Sequence, residues 1–232
     1  MRVYAAAVAP ALILMLMSAA PAPPPAQQAL DAQDRAALEK IAAQSAANAS
    51  KRPTDFTAQI DAALHHSFLA QLGIEVGDKG LGRRAAEAGM APARKAIELK
   101  ANDAEAHRLL GTLCGQIIPA NVLAGMKYGR CAMDEVKRAI ELNPKSAGVW
   151  LSRGVGNYYL PTAFGGGVKL AIQDFEKAIS LDGKSAEAHL WHGIALRKDG
   201  RAKEAREALQ RSLALNPNRK WAKQQLEKTP AQ

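Results

Sequence analysis

Phe56, Ile60, Leu64, Phe68 and Leu72 recur every four residues. That spacing places five large apolar side chains on one face of a helix. Arg52-Pro53-Thr54-Asp55 reads as a break followed by a helix start. Gly73, Gly77, Gly80 and Gly82 predict a loop, and a second helix is expected up to Lys100, interrupted near Gly89 and Pro92. No β-branched, alternating run of strand length stands out. Upstream, Pro21 to Pro25 holds four prolines in five residues and predicts an extended spacer. Gln27 to Ser50 is rich in Ala and Gln, and its large apolar residues are few: Leu30, Leu38 and Ile41. Residues 23–53 therefore read as a linker with a weak helix.

Beyond Lys100 the chain repeats itself. The phrases starting at Lys95 (KAIEL), Arg138 (RAIEL), Lys177 (KAISL) and Arg211 (RSLAL) are versions of one helix end, spaced by 43, 39 and 34 residues. Residues 186–219 read AEAHLWHGIALRKDGRAKEAREALQRSLALNPNR. Gly193 fills a small position in the first helix and Gly200 ends it. Ala205 and Leu209 share the inner face of the second helix, and Pro217 closes the unit. This stretch resembles a tetratricopeptide repeat, whose period is about 34 residues. The unit before it matches at Trp150, Gly154, Ala171, Phe175 and Ala178. The one before that matches at Gly111, Ala132, Val136, Ala139 and Pro144.

The resemblance spans roughly 102–219 and implies an all-α fold: an antiparallel helix-pair solenoid, a right-handed superhelix of the tetratricopeptide type. A helix pair cannot bury its apolar stripe alone, so neighbours stack and share a core. The units expected are a degenerate first unit at 54–101, repeats at 102–144, 145–183 and 184–217, and a capping helix at 219–228, within a repeat domain at 54–229. The two longer spacings imply insertions inside repeats, Ile117 to Gly129 and Leu160 to Gly167. The phrases Gly125-Met-Lys-Tyr-Gly129 and Pro161-Thr-Ala-Phe-Gly-Gly-Gly167 resemble those of exported bacterial repeat proteins and, more loosely, periplasmic repeat subunits associated with solute transporters.

Arg2, the apolar run Val3 to Met17 and the small residues Ser18-Ala19-Ala20 have the layout of a secretory signal over residues 1–22. Pro21 sits poorly after a cleavage site, so an uncleaved anchor in the inner membrane stands as the alternative. Export to the periplasm or the exterior is expected. Cys114 and Cys131 have no C-x-x-C spacing. In an exported protein they suggest one disulfide, joining the end of a first helix to the start of its partner. Two small packing residues are the competing reading.

The formal charge is +9, concentrated between Arg197 and Lys228, where ten Lys/Arg face four Asp/Glu. Without a nucleic-acid-binding signature this reads as a solvated helix face, and no nucleic-acid partner is expected. The sequence has no G-x-S-x-G, H-E-x-x-H or phosphate-loop motif. Gly165-Gly166-Gly167 lacks the G-K-[ST] ending. His189 and His192 are spaced for a shared metal ion, but His107, Trp150 and His189 occupy one repeat position, which argues for packing. No enzyme activity, cofactor or metal is expected.

In arrays of this type the first helices line the concave face that carries the ligand. The resemblance puts there Arg108, Thr112 and Gln116, then Leu151, Val155, Tyr158 and Tyr159, then Leu190, Trp191, Ile194 and Arg197. The slots that grip a C-terminal carboxylate in co-chaperone repeats hold Arg108, Thr112, Ser152, Glu187 and Trp191. Only Arg108 suits that task, so a chaperone-tail clamp is not expected. The insertions are apolar for loops, with Ile117, Ile118, Val122, Leu123, Met126, Tyr128, Leu160 and Phe164, and long loops are often functional. Either they join the concave face in one binding surface or they cover the core. The expected function is a non-catalytic scaffold in the cell envelope binding a protein or peptide partner. The alternative is a periplasmic small-molecule subunit, for an apolar or acidic ligand, working with a transporter component. An open groove favours the first and an enclosed pocket the second. Membrane contact is expected only through an uncleaved N-terminus.

Overall fold

The computed structural model describes residues 24–118 and 122–231, so the predicted signal segment lies outside the described residues. The helices in chain order are α1 (Pro25–Asp31), α2 (Arg35–Lys51), α3 (Phe56–Val76), α4 (Lys79–Leu99), α5 (Ala104–Ile117), α6 (Val122–Leu142), α7 (Ala147–Tyr159), α8 (Val168–Leu181), α9 (Ala186–Lys198), α10 (Ala202–Leu215) and α11 (Lys220–Glu227). A short 3-10 turn, Thr162–Phe164, lies between α7 and α8. Among the described residues there is no strand. The fold is an all-α solenoid of helix pairs.

The sequence marks five of the helix starts with a capping side chain. Asp34, Asp55, Asp78, Asp103 and Ser185 each accept a hydrogen bond from the backbone N–H three residues on. Each satisfies a donor that the first turn leaves unpaired. A second device recurs at the fourth residue of each first helix, where a side-chain N–H donates into the carbonyls of the preceding turn. Gln59 donates to Ala49 O (3.0 Å), His107 Nε2 to Ala101 O (3.0 Å), Trp150 Nε1 to Pro144 O (2.8 Å) and His189 Nε2 to Gly183 O (3.3 Å). The shared repeat position is thus a donor slot that ties each unit to the one before it.

Pairing follows chain order: α3 packs on α4, α5 on α6, α7 on α8 and α9 on α10. The first helices also touch in series, α3 on α5, α5 on α7 and α7 on α9, and form the inner layer. Glycines permit the close crossings. A Cβ on Gly73 would lie 2.4 Å from the backbone N of Gly82, and one on Gly154 2.5 Å from the Phe175 ring.

Gly73, Gly80 and Gly82 therefore lie inside helices rather than in the loop expected there. The turn is short, and Gly77 closes α3 in the left-handed conformation (φ 77°). Pro92 is likewise inside an unbroken α4. The first insertion is largely helical: α6 runs for 21 residues, against 14 each for α8 and α10. Residues 119–121 and the side chains of Val122, Leu123 and Met126 lie outside the described set. Ile117 is buried in the core. A disulfide joins Cys114 to Cys131 (S–S 2.00 Å, Cα–Cα 6.0 Å), linking α5 to α6.

The segment expected to be a linker forms α1 and α2 and packs tightly. Ala26, Ala29, Leu30, Leu38 and Ala42 are buried in one core with Leu69, Leu72, Leu109 and Leu113. The thin apolar face suffices because alanines let helices approach closely, so two leucines reach the core. A second core, built on Phe175, Leu190, Trp191, Leu209 and Trp221, fills units α7–α10 and is closed by α11.

Candidate functional site

The inner face is closed where α1 and α3 meet the turn before α11. Arg219, in the turn before α11, is 1% exposed. Its guanidinium bonds Glu75 of α3, lies 3.2 Å from Glu187 of α9 and 3.7 Å from Asp31 of α1, and donates to Leu30 O. The Trp221 ring lies 5.6 Å from the guanidinium carbon. Asn216 donates to Asp31 (2.8 Å), Gln33 exchanges hydrogen bonds with Gln224, and Gln71 donates to Glu187 (2.7 Å). The α1 end and the α11 end of the described array thus meet. A solitary buried guanidinium needs such partners, because an unpaired buried charge is costly.

The closure decides where the expected binding residues lie. Trp191 is 5% exposed and forms the hub of a ring cluster. Its centroid lies 5.2 Å from Trp221, 5.8 Å from Tyr158, 6.1 Å from Tyr159 and 6.3 Å from Phe175. Its Nε1 donates to Glu187 (3.2 Å). Leu190 and Ile194 are buried, and Leu151, Val155, Tyr158 and Tyr159 pack partly buried on the same core. Burial, with the nearby Tyr158 and Glu75, pushes the Tyr159 hydroxyl well above its ordinary value, so the phenol stays neutral. Arg197 donates to Gln225 O (3.1 Å) and Gln225 Oε1 (2.7 Å), holding the end of α11. With Arg206, which bonds Thr229 O (2.7 Å), it places cations at a helix C-terminus. Arg197, Arg206 and Arg219 therefore stand apart from the solvated basic face predicted for 197–228, to which Arg201, paired with Glu204, belongs.

Arg108, Thr112 and Gln116 are half-buried. Arg108 is held by Glu105 (2.5 Å) and Ser152 (3.2 Å), Thr112 donates to Ser152 (3.1 Å), and Gln116 donates to Ser67 O (3.1 Å). Tyr128 packs on the first core with Lys127 over its ring. The structure gathers Tyr158, Tyr159, Trp191 and Ile194 in one place, but as an interior.

Phe164 goes the other way. It is 73% exposed, on the turn between α7 and α8. That turn is held by its own backbone: Phe164 N–H and Gly166 N–H donate to Pro161 O, Gly165 N–H to Thr162 O and Gly167 N–H to Asn157 O. Gly165 (φ 85°) and Gly167 (φ 120°) adopt conformations that side chains disfavour. Leu170, one turn into α8, is also exposed. Phe164 is thus displayed on a fixed support instead of covering the core.

The two histidines have different surroundings. His189 Nε2 faces Gly183 O, while His192 is pushed down to about 4 by burial, reinforced by His189 and Arg201. Its Nε2 lies 3.8 Å from Glu176. Among the described residues no group of three or more His, Cys, Asp or Glu is placed to hold a metal ion. Two open depressions stand out. One lies between α2 and α3, beside Ile41, Asn48, Asp61 and His65; the other lies beside Lys169, Glu176 and Arg201.

Residues 186–219, which supply α9, α10 and the closing turn, match the tetratricopeptide repeat family. Over those residues the chain is similar to one tetratricopeptide repeat. The solenoid built around it resembles a thermophilic tetratricopeptide-repeat protein of Thermus thermophilus, at 15% identity over 88% of this chain and 96% of that one, with a TM-score of 0.60. It is also similar to the HusA haemophore of Porphyromonas gingivalis, at 20% identity over 82% and 92% of the two chains, with a TM-score of 0.52. Both likenesses concern the fold. No curated protein matches the sequence.

Little in the local sequence marks the Arg219 cluster. Its one local signal is Glu75, a lone carboxylate in the apolar stretch Gly73-Ile-Glu-Val76.

Proposed function

We propose that the chain is a non-catalytic scaffold of the cell envelope that binds a protein or peptide partner through the edge carrying Phe164. The tetratricopeptide-type fold supports a protein-binding role. The exposed Phe164 on its internally bonded turn carries the choice of surface. An aromatic anchor held in place before binding loses little freedom on association and is typical of interface hot spots. The Cys114–Cys131 disulfide and the signal-like N-terminus support an oxidising, exported setting. On the inner face Arg219 pairs with Glu75 and Gln71 bonds Glu187, so these groups serve the packing of the array.

The test compares the wild type with Phe164→Ala in affinity capture from envelope extracts, read by mass spectrometry. The substitution is expected to leave stability within about 0.5 kcal/mol, as for other surface changes. It is expected to remove a specifically captured protein. Identical captured sets from the two proteins would reject the Phe164 edge.

A further inference from the structure

The space that Arg219 fills is shaped for a guanidinium. Glu75 meets the Nη1 and Nη2 edge with both carboxylate oxygens. Glu187 accepts from Nε (3.2 Å) and Nη2 (3.5 Å), and Leu30 O accepts from Nη1 (3.3 Å). Each of the five N–H groups of the side chain therefore has an acceptor. Gln33 (3.2 Å) and Gln71 (3.1 Å) also donate to the Glu75 oxygens, so Glu75 offers the fork an ionised carboxylate. Two residues on, the Trp221 ring enters the aromatic cluster 5.2 Å from Trp191. The walls of this site belong to two separate cores, one holding Leu30 and Leu72, the other Leu190 and Trp191. The packing partners of α3 are α1, α2, α4 and α5, and that of α11 is α10, so side chains rather than extensive helix packing cross from α3 to α11. Withdrawing the closing segment leaves the first core whole and takes from the second its α11 edge. That helix has eight residues, and no side chain caps its start.

We propose that residues 219–221 are a tethered ligand in a receptor site on the inner face, and that a partner segment carrying an arginine two residues before an aromatic ring takes their place. The acceptors select a guanidinium over an ammonium, which has three donors and no planar fork. Asp31, 3.7 Å from the guanidinium, adds a further negative charge and favours a basic partner over an acidic one. The site is distinct from the Phe164 edge, which lies between α7 and α8, so either can fail without the other.

A labelled synthetic peptide of residues 216–229 tests it by fluorescence anisotropy against the full chain. In the variant combining Arg219→Ala with Trp221→Ala the tethered copy no longer fills the site, and the peptide is expected to bind. The wild type, whose own segment is present at the high effective concentration of a short tether, should bind it about tenfold more weakly. The same peptide carrying Arg219→Lys should bind the variant about tenfold more weakly than the native peptide. Circular dichroism checks that the variant is folded, and Arg219→Ala alone replaces it if the double substitution unfolds the chain. No peptide binding to the folded variant, equal binding by wild type and variant, or equal binding of the two peptides would each overturn the proposal. Loss of the helical array in both variants would overturn it too, because a displaceable ligand is not required to fold its receptor.

Discussion

Trp191→Ala is expected to destabilise the protein by about 3–5 kcal/mol, the range for deleting a buried tryptophan. The indole packs against Tyr158, Tyr159, Phe175 and Trp221, so one truncation opens a gap between α7, α8, α9 and α11 together. The array cannot collapse into that gap without moving Trp221, which belongs to the closing helix. The substitution also removes the Nε1 donor from Glu187, leaving that carboxylate with less compensation beside Glu75. Urea unfolding followed by circular dichroism measures the loss through the shift in midpoint. A change below about 1 kcal/mol would mean that the indole is not a core residue. The contrast with Phe164→Ala matters, since the two aromatics are chemically alike and differ in burial.

Arg219→Ala is expected to cost about 3–5 kcal/mol, as when one partner is removed from a buried ion pair. The variant leaves Asp31 and Glu75 buried without their guanidinium and deprives Leu30 O of a donor. Arg219→Lys should recover only part of the stability, because an ammonium cannot match the planar fork that reaches α1, α3 and α9 together. Melting curves provide the measurement. A neutral-pH loss under about 1 kcal/mol would show that the ends of the array are held by other contacts.

Local pattern made the repeats legible. The four-residue spacing of Phe56 to Leu72 and the recurring helix ends locate the paired helices, because each records which face of a helix is buried. The glycines were ambiguous for a physical reason. A missing Cβ serves a turn and a close helix crossing equally, and Gly73 against Gly82 is a crossing. Residues 23–53 looked like a linker because alanine-rich faces score weakly, yet alanine allows the close approach that buries Leu30 and Leu38.

Tyr158, Tyr159, Trp191 and Ile194 pack together on one inner face. Whether that face is open depends on how far the solenoid curls, which is a property of the whole array. Arg219 meets Glu75 across 144 residues of chain and Leu30 across 189, beyond any local signal. Phe164 and Trp191 likewise could not be sorted into exposed and buried by residue type.

The segment joining α1 to α2 meets α11, and the inner face becomes an interior. Gln33, between α1 and α2, and Gln224, on α11, exchange hydrogen bonds of 3.2 and 3.0 Å. Replacing both by cysteine, Gln33→Cys with Gln224→Cys, allows a short bis-maleimide to report their separation while the native disulfide stays intact. The account predicts rapid cross-linking within monomers at near-neutral pH, seen by mass spectrometry as one peptide pair joining positions 33 and 224. Efficient labelling of both positions without that intramolecular pair would contradict it.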